Sequence, residues 1–115
     1  MRIARVYDEP VPGEGERVLV DRLWPRGLRK DDPRVGQWLK QVAPSTELRR
    51  WYGHDPARYE RFARRYRTEL AGPAVAPALD QLRALAAHGP VTLVTATTHL
   101  DQSHLAVLNS VVEDR

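Results

Sequence analysis

Val18-Leu19-Val20-Asp21-Arg22-Leu23-Trp24-Pro25-Arg26-Gly27 decides how this chain is read. Its first three residues have the character of a buried strand. The strand ends at once in a carboxylate, two guanidiniums, an indole, a proline and a glycine. In an open α/β sheet, ligands sit beyond the carboxyl ends of the strands. The stretch therefore reads as one wall of a site. Its paired arginines point to an anion, because a guanidinium meets a carboxylate, phosphate or sulfate through two parallel hydrogen bonds.

Upstream, Ile3-Ala4-Arg5-Val6-Tyr7 alternates as a first strand. A polar, Pro/Gly-rich connection over residues 8–16 leads to the second strand, Arg17 to Val20. Parallel pairing of these two strands needs a crossover of about a dozen residues, which that connection barely supplies. Downstream, Asp32-Pro33 predicts an N-cap with proline at the first helical position, followed by Val35, Trp38, Leu39 and Val42 on one helical face. Ala43-Pro44-Ser45-Thr46 breaks that helix and caps a short second one, which Gly53 closes. Asp55-Pro56 opens a third, with Tyr59, Phe62, Ala63, Tyr66 and Leu70 at helical spacing.

Val75, Leu79, Leu82 and Leu85 mark a fourth helix, stopped by Gly89-Pro90. Val91 to Thr95 is a third strand, and Asp101 caps a last helix carrying Leu105, Leu108, Val111 and Val112. The expected architecture is a small single α/β domain over residues 1–115. It has a short, mostly parallel three-stranded sheet covered by about five helices.

The 115 residues suit one domain, and 42% hydrophobic content suffices for one core. No apolar run is long enough to cross a membrane, and the first residues lack the stretch of a secretory signal, so a cytoplasmic location is the default expectation. The absence of cysteine excludes disulfides, thiolate catalysis and cysteine-based metal sites. Charge is uneven: residues 1–67 hold sixteen Lys and Arg against ten Asp and Glu, and the remainder holds two against five. A coding bias toward arginine explains this as well as an anion-attracting half does. The net charge of +3 is too small to demand nucleic acid.

Four constellations bear chemistry. Asp21, Arg22, Trp24, Arg26 and Gly27 form the first: the arginines clamp an anion, Asp21 orients or takes a proton, and Gly27 lets backbone approach a ligand. Trp24 alone is more often a packing residue. His54 with Asp55 resembles a general base and its carboxylate, although Asp55 is also a ready N-cap. Thr95 to His104 joins a buried strand to a helix start, where hydroxyls, free amides and the helix dipole favour an anion. No phosphate-loop or dinucleotide glycine spacing is present, so no nucleotide is implied. His99, Asp101 and His104 make a weak metal set, and no metal or other cofactor is expected. Finally, Arg58, Arg61 and Arg65 share a helix face, which suits phosphates but is more often a solvated row.

Several of these segments together resemble a known family. Asp21 to Gly27, Ala43 to Arg49, Gly53 to Pro56, Arg65-Tyr66, Glu69-Leu70 and Val91 to Val94 are similar to the YeaO-like branch of the bacterial domain-of-unknown-function 488 family. The likeness spans almost the whole chain. It implies a small α/β cytoplasmic protein and brings no reaction. Longer members resemble rhodanese or phosphatase architectures, with an Asp-Val-Arg strand end and a Cys-His-Arg element after the last strand. Asp21-Arg22 resembles the first of these. Ser103-His104-Leu105 stands at the second, without its cysteine and arginine, which removes any cysteinyl-phosphate or persulfide mechanism.

The expected function is a pocket for a small anionic molecule. Arg22, Arg26 and Arg49 bind the anion, and Trp24, Gly27, Ser45, Thr95, Thr97 and the amides of residues 101–104 complete the shell. Any catalysis would be a cysteine-independent hydrolysis or group transfer, with His54 or His104 carrying the proton and Asp21 orienting it. The alternative is a non-catalytic module that binds nucleic acid or protein through Arg58 to Arg67.

Overall fold

The computed structural model describes residues 1–113. Four strands, β1 (Arg2–Arg5), β2 (Glu16–Leu19), β3 (Gln37–Trp38) and β4 (Val91–Thr95), form one sheet in the order β1-β4-β2-β3. Every pairing is parallel. Four α-helices accompany it: α1 (Thr46–Tyr52), α2 (Tyr59–Leu70), α3 (Ala76–His88) and α4 (His104–Glu113). The small α/β domain with a parallel sheet is as expected, with one strand more than the sequence pattern predicted.

The first two strands are not neighbours. β4 lies between them, with Ile3 and Val18 both registered on Leu93. The short Pro/Gly connection therefore crosses over β4, returning from the carboxyl end of β1 to the amino end of β2, rather than linking adjacent strands. The apolar run of Val18 to Val20 and the fully buried, β-branched-rich β4 fit this central placement, where both faces are covered.

The helix expected from Asp32 is replaced by a turn and an edge strand. Asp32 Oδ1 accepts from the Arg34 backbone N–H at 2.9 Å, and its carboxylate pairs with the Arg34 guanidinium. This local turn satisfies the cap signal without a helix. Gly36 then adopts φ +69°, a conformation that ends any helix, and lies so close to β2 that a Cβ would sit 2.2 Å from the Arg17 carbonyl oxygen. Gln37-Trp38 pairs with Val18-Leu19 instead.

The two faces of the sheet are covered differently. Val18, Val20, Val91 and Leu93 face a core built with residues of all four helices, including Leu48, Phe62, Tyr66, Leu82 and Leu105. Leu19 and Val94 point the other way, onto Val6 and Val35, with Trp24, Leu28 and Trp38 packed alongside. The helices thus cover one face, and the loop from residue 24 to 38 covers the other. Four parallel strands place all their carboxyl ends on one side, where the chain after β2 and the chain after β4 emerge together.

Two consequences are measurable. Gly27 also has positive φ, but nothing lies within 4 Å of a Cβ there. Gly27→Ala is expected to cost about 1–2 kcal/mol for the backbone conformation. Gly36→Ala is expected to cost a further ~1–3 kcal/mol because β2 must move; equal urea midpoints for the two variants would contradict the close approach. Separately, hydrogen bonds from the Arg34 side chain and backbone lower the Asp32 carboxyl from 3.8 to about 2. Its contribution is complete above the ordinary carboxylate range and disappears as pH falls through about 2. An NMR titration midpoint near 4 would refute this.

Candidate functional site

β2 and β4 are adjacent, with Leu19 registered on Val94, so Asp21 emerges beside Thr95 and Ala96. Beyond this point the chain after β2 runs to the loop-covered face, and the chain after β4 leads to α4 on the helical face. Diverging connections between neighbouring parallel strands open a crevice. Asp21 stands in it. Its Oδ1 accepts from the Thr95 hydroxyl at 2.6 Å and lies 3.3 Å from His104 Nε2. Its Oδ2 accepts the Ala96 backbone N–H at 2.9 Å. His104 Nε2 also contacts the Val20 carbonyl. A carbonyl only accepts, so Nε2 carries the proton. The Asp21 carbonyl in turn accepts from the Trp38 indole at 2.6 Å.

The loop after Asp21 is held at several points. Arg22 donates through Nε to the Pro44 carbonyl and through Nη2 to the Ala43 carbonyl, at 3.2 and 3.0 Å. The Trp24 indole donates to the Leu28 carbonyl and meets Trp38 edge to face, with ring centroids 5.4 Å apart. The Tyr7 hydroxyl donates to the Arg26 carbonyl at 3.0 Å. Gly27 turns the loop at φ +80°.

Opposite this loop, Ser45 caps α1 by accepting from the Leu48 N–H at 3.1 Å. Its own N–H and hydroxyl both donate to the Glu69 carboxylate, at 2.8 and 2.5 Å. Arg49 projects from the exposed side of α1. Tyr52 stacks on Phe62, with centroids 4.3 Å apart, and its hydroxyl donates to the Gln102 carbonyl at 2.7 Å. Burial raises the Tyr52 phenol above its ordinary range and keeps it a neutral donor. His54, just past the α1 cap, is exposed and has φ 59°.

These segments enclose a cavity of about 310 Å³. Asp21, Arg22, Trp24 and Arg26 line it from the β2 loop, Arg49 and His54 from the α1 end, and Thr97 and His104 from beyond β4. Gly27, Ser45 and Thr95 do not line it. Gly27 serves the turn, Ser45 is engaged by Glu69, and Thr95 is buried beneath Asp21. The shell expected from amides 101–104 does not form either. Residues 100–102 make a 3-10 turn, Ser103 bonds locally to Leu100 and Leu105, and of this group His104 alone reaches the cavity.

Tyr7, Pro44, Tyr52 and Phe62 also line the cavity and were not singled out from the sequence. Tyr7 carried a usable signal, since it follows β1 at the same sheet end. Phe62 carried none, because its spacing is that of any core-facing helix residue.

The cavity is polarised. Phe62, Tyr52, Ala43 and Pro44 are buried and give it an apolar floor, beside the largely buried Asp21 carboxylate. Arg26, Arg49 and His54 are exposed at its rim. Among the described residues neither the Arg26 nor the Arg49 guanidinium has a hydrogen-bond or ion-pair partner. No group of three or more His, Asp or Glu is placed to hold a metal among the described residues. No helix there is long and apolar enough to cross a membrane.

Comparison with known proteins gives one family. Residues 1–115 match the family model described as the inactive DUF488-N3 subclade. The uncharacterized protein Rv3073c of Mycobacterium tuberculosis is 54% identical over 115 residues, covering 100% of this chain and 95% of the relative. The uncharacterized protein YeaO of Escherichia coli is 38% identical over 104 residues, covering 90% of this chain and 89% of the relative. No solved structure matches.

The Asp21 contacts predict a stability effect. Asp21→Ala leaves the Thr95 hydroxyl and the Ala96 amide without their charged acceptor and removes the carboxylate beside His104, and is expected to cost about 3 kcal/mol. Thr95→Val is expected to cost ~1 kcal/mol, and the double variant less than the sum. Urea denaturation reads all three, and an unchanged midpoint for Asp21→Ala would remove the carboxylate from its structural role.

Proposed function

Since this chain belongs to the DUF488 family, in the subclade described as inactive, we propose that its cavity binds a small anion-bearing molecule without turning it over. The observation that carries this reading is the pair of unpartnered guanidiniums, Arg26 and Arg49, on the rim of a cavity with an apolar floor. Guanidiniums at the rim of a pocket favour a carboxylate or phosphate group, and the apolar floor favours a ring or chain attached to it.

Binding accounts for the residues better than hydrolysis or group transfer does. The Asp21 carboxylate already accepts from the Thr95 hydroxyl and the Ala96 N–H, and His104 Nε2 already donates to Val20. Proton transfer through Nε2 would have to give up the Val20 contact. His54 lies on the exposed rim, away from these partners. The nucleic-acid alternative has less support. Arg58 and Arg65 lie 5.3 and 4.9 Å from the Trp51 ring centroid, and Arg58 also donates to the Trp51 carbonyl. Part of that arginine row is thus committed to packing.

The three arginines separate by role. Phenyl phosphate and phenylacetate are suitable probes, read by thermal denaturation. A bound probe at a hundredfold excess over its Kd adds about 2.7 kcal/mol to the folded state. The Arg26→Ala/Arg49→Ala protein is expected to keep its unliganded Tm and lose this increment. Arg22→Ala is expected to lower the unliganded Tm, since two carbonyls lose their donor. An increment of equal size in the double variant would overturn the proposal.

A further inference from the structure

We propose that the molecule bound here is amphoteric: a flat apolar body with an anionic group at its outer end and an N–H donor at its inner end. This rests on the anion-binding reading above and specifies its ligand class.

The argument begins with the lone carboxylate of the cavity. Among the described residues Asp21 is the one acidic residue lining it, and its side chain is 17% exposed. An ionised carboxylate offers about four acceptor positions. Oδ1 is occupied by the Thr95 hydroxyl and approached by His104 Nε2, whereas Oδ2 accepts the Ala96 amide alone. One acceptor position on Oδ2 is therefore unfilled at the inner end of the cavity. The His104 ring also lines the cavity, with its Nε2 proton directed to the Val20 carbonyl. The inner end offers an acceptor and carries a negative charge.

The outer end is the reverse. Arg26 and Arg49 supply only donors and positive charge, and His54 adds a titratable ring beside them. A second carboxylate or phosphate placed against Asp21 would meet like charge in a poorly solvated site, whereas the same group at the rim meets two guanidiniums. The two ends thus fix the ligand's direction. Between them lie Tyr52 and Phe62, with Pro44 beside them. The Tyr52–Phe62 stack presents aromatic surface to a planar body. A volume of about 310 Å³ is at the lower end for ligand pockets, which suits one ring system rather than a dinucleotide.

The test uses the full chain and two acids of similar shape. Indole-3-acetate carries a ring N–H remote from its carboxylate. 1-Naphthylacetate has more apolar surface and no donor. By area alone the naphthyl acid binds tighter. The amphoteric assignment reverses that order: indole-3-acetate is expected to bind at least about tenfold tighter by calorimetry, the effect of one hydrogen bond to a charged acceptor. The Ala96 amide resonance should move with the indole acid and not with the naphthyl acid. Equal or tighter binding of 1-naphthylacetate, with both acids weakened by Arg26→Ala/Arg49→Ala, overturns the inner donor and leaves the anion pocket standing. No binding of either acid, or binding indifferent to the two arginines, overturns both.

Discussion

One carboxylate holds the functional end of this protein together. Asp21 receives a hydroxyl and an amide from the end of β4, and lies against the imidazole that begins α4. Its own carbonyl takes the Trp38 indole, which ties in the edge strand. These partners come from three separate parts of the chain: the end of β4, the start of α4 and the edge strand. A largely buried carboxylate would be expensive to leave unpaired, and so would the donors around it. The central strands, the first turn of α4 and the loop-covered face are therefore held in one arrangement by mutual need. The crevice exists because the two central strands part company immediately beyond this junction.

Polar commitments of this kind constrain chemistry. The Asp21 Oδ1 and the His104 Nε2 proton are engaged in holding strands together, which limits their use in a reaction. Among the described residues, the unused capacity lies in two rim guanidiniums and one position on Asp21 Oδ2. The subclade description, with its word inactive, agrees with a family in which the scaffold of a site persists while the reacting group is missing. This chain has no cysteine, and Ser103 uses its hydroxyl on local backbone groups.

Much of the architecture was legible in the residues. The apolar β-branched runs at Val18 and Val91 can be satisfied only in the interior of a sheet. Ser45 and Asp55 act as the caps their types predict, and Gly53 takes the left-handed position that ends α1. The misreadings have physical causes. Asp32-Pro33 carries the same signal for a helix start and for a local turn, and the choice fell to Gly36, whose contact with β2 is not a local property. The separation of β1 from β2 depends on β4, which arrives some seventy residues later and takes the central place. Ser45 was read as a ligand group because nothing near it in the chain announces Glu69.

Local residue chemistry was enough to establish that strands and helices alternate, that no thiol can serve as nucleophile, and that arginines cluster after the second strand. Backbone preference, capping and periodicity act over a few residues, so a linear reading reaches them. Which arginine is free and which is spent was settled only by packing. Arg22 and Arg26 are four residues apart and chemically identical, yet one meets two carbonyls of the loop before α1 and the other meets none among the described residues. Hydrogen-bond supply around a side chain depends on what the fold brings within three ångströms, and that is a property of the assembled chain.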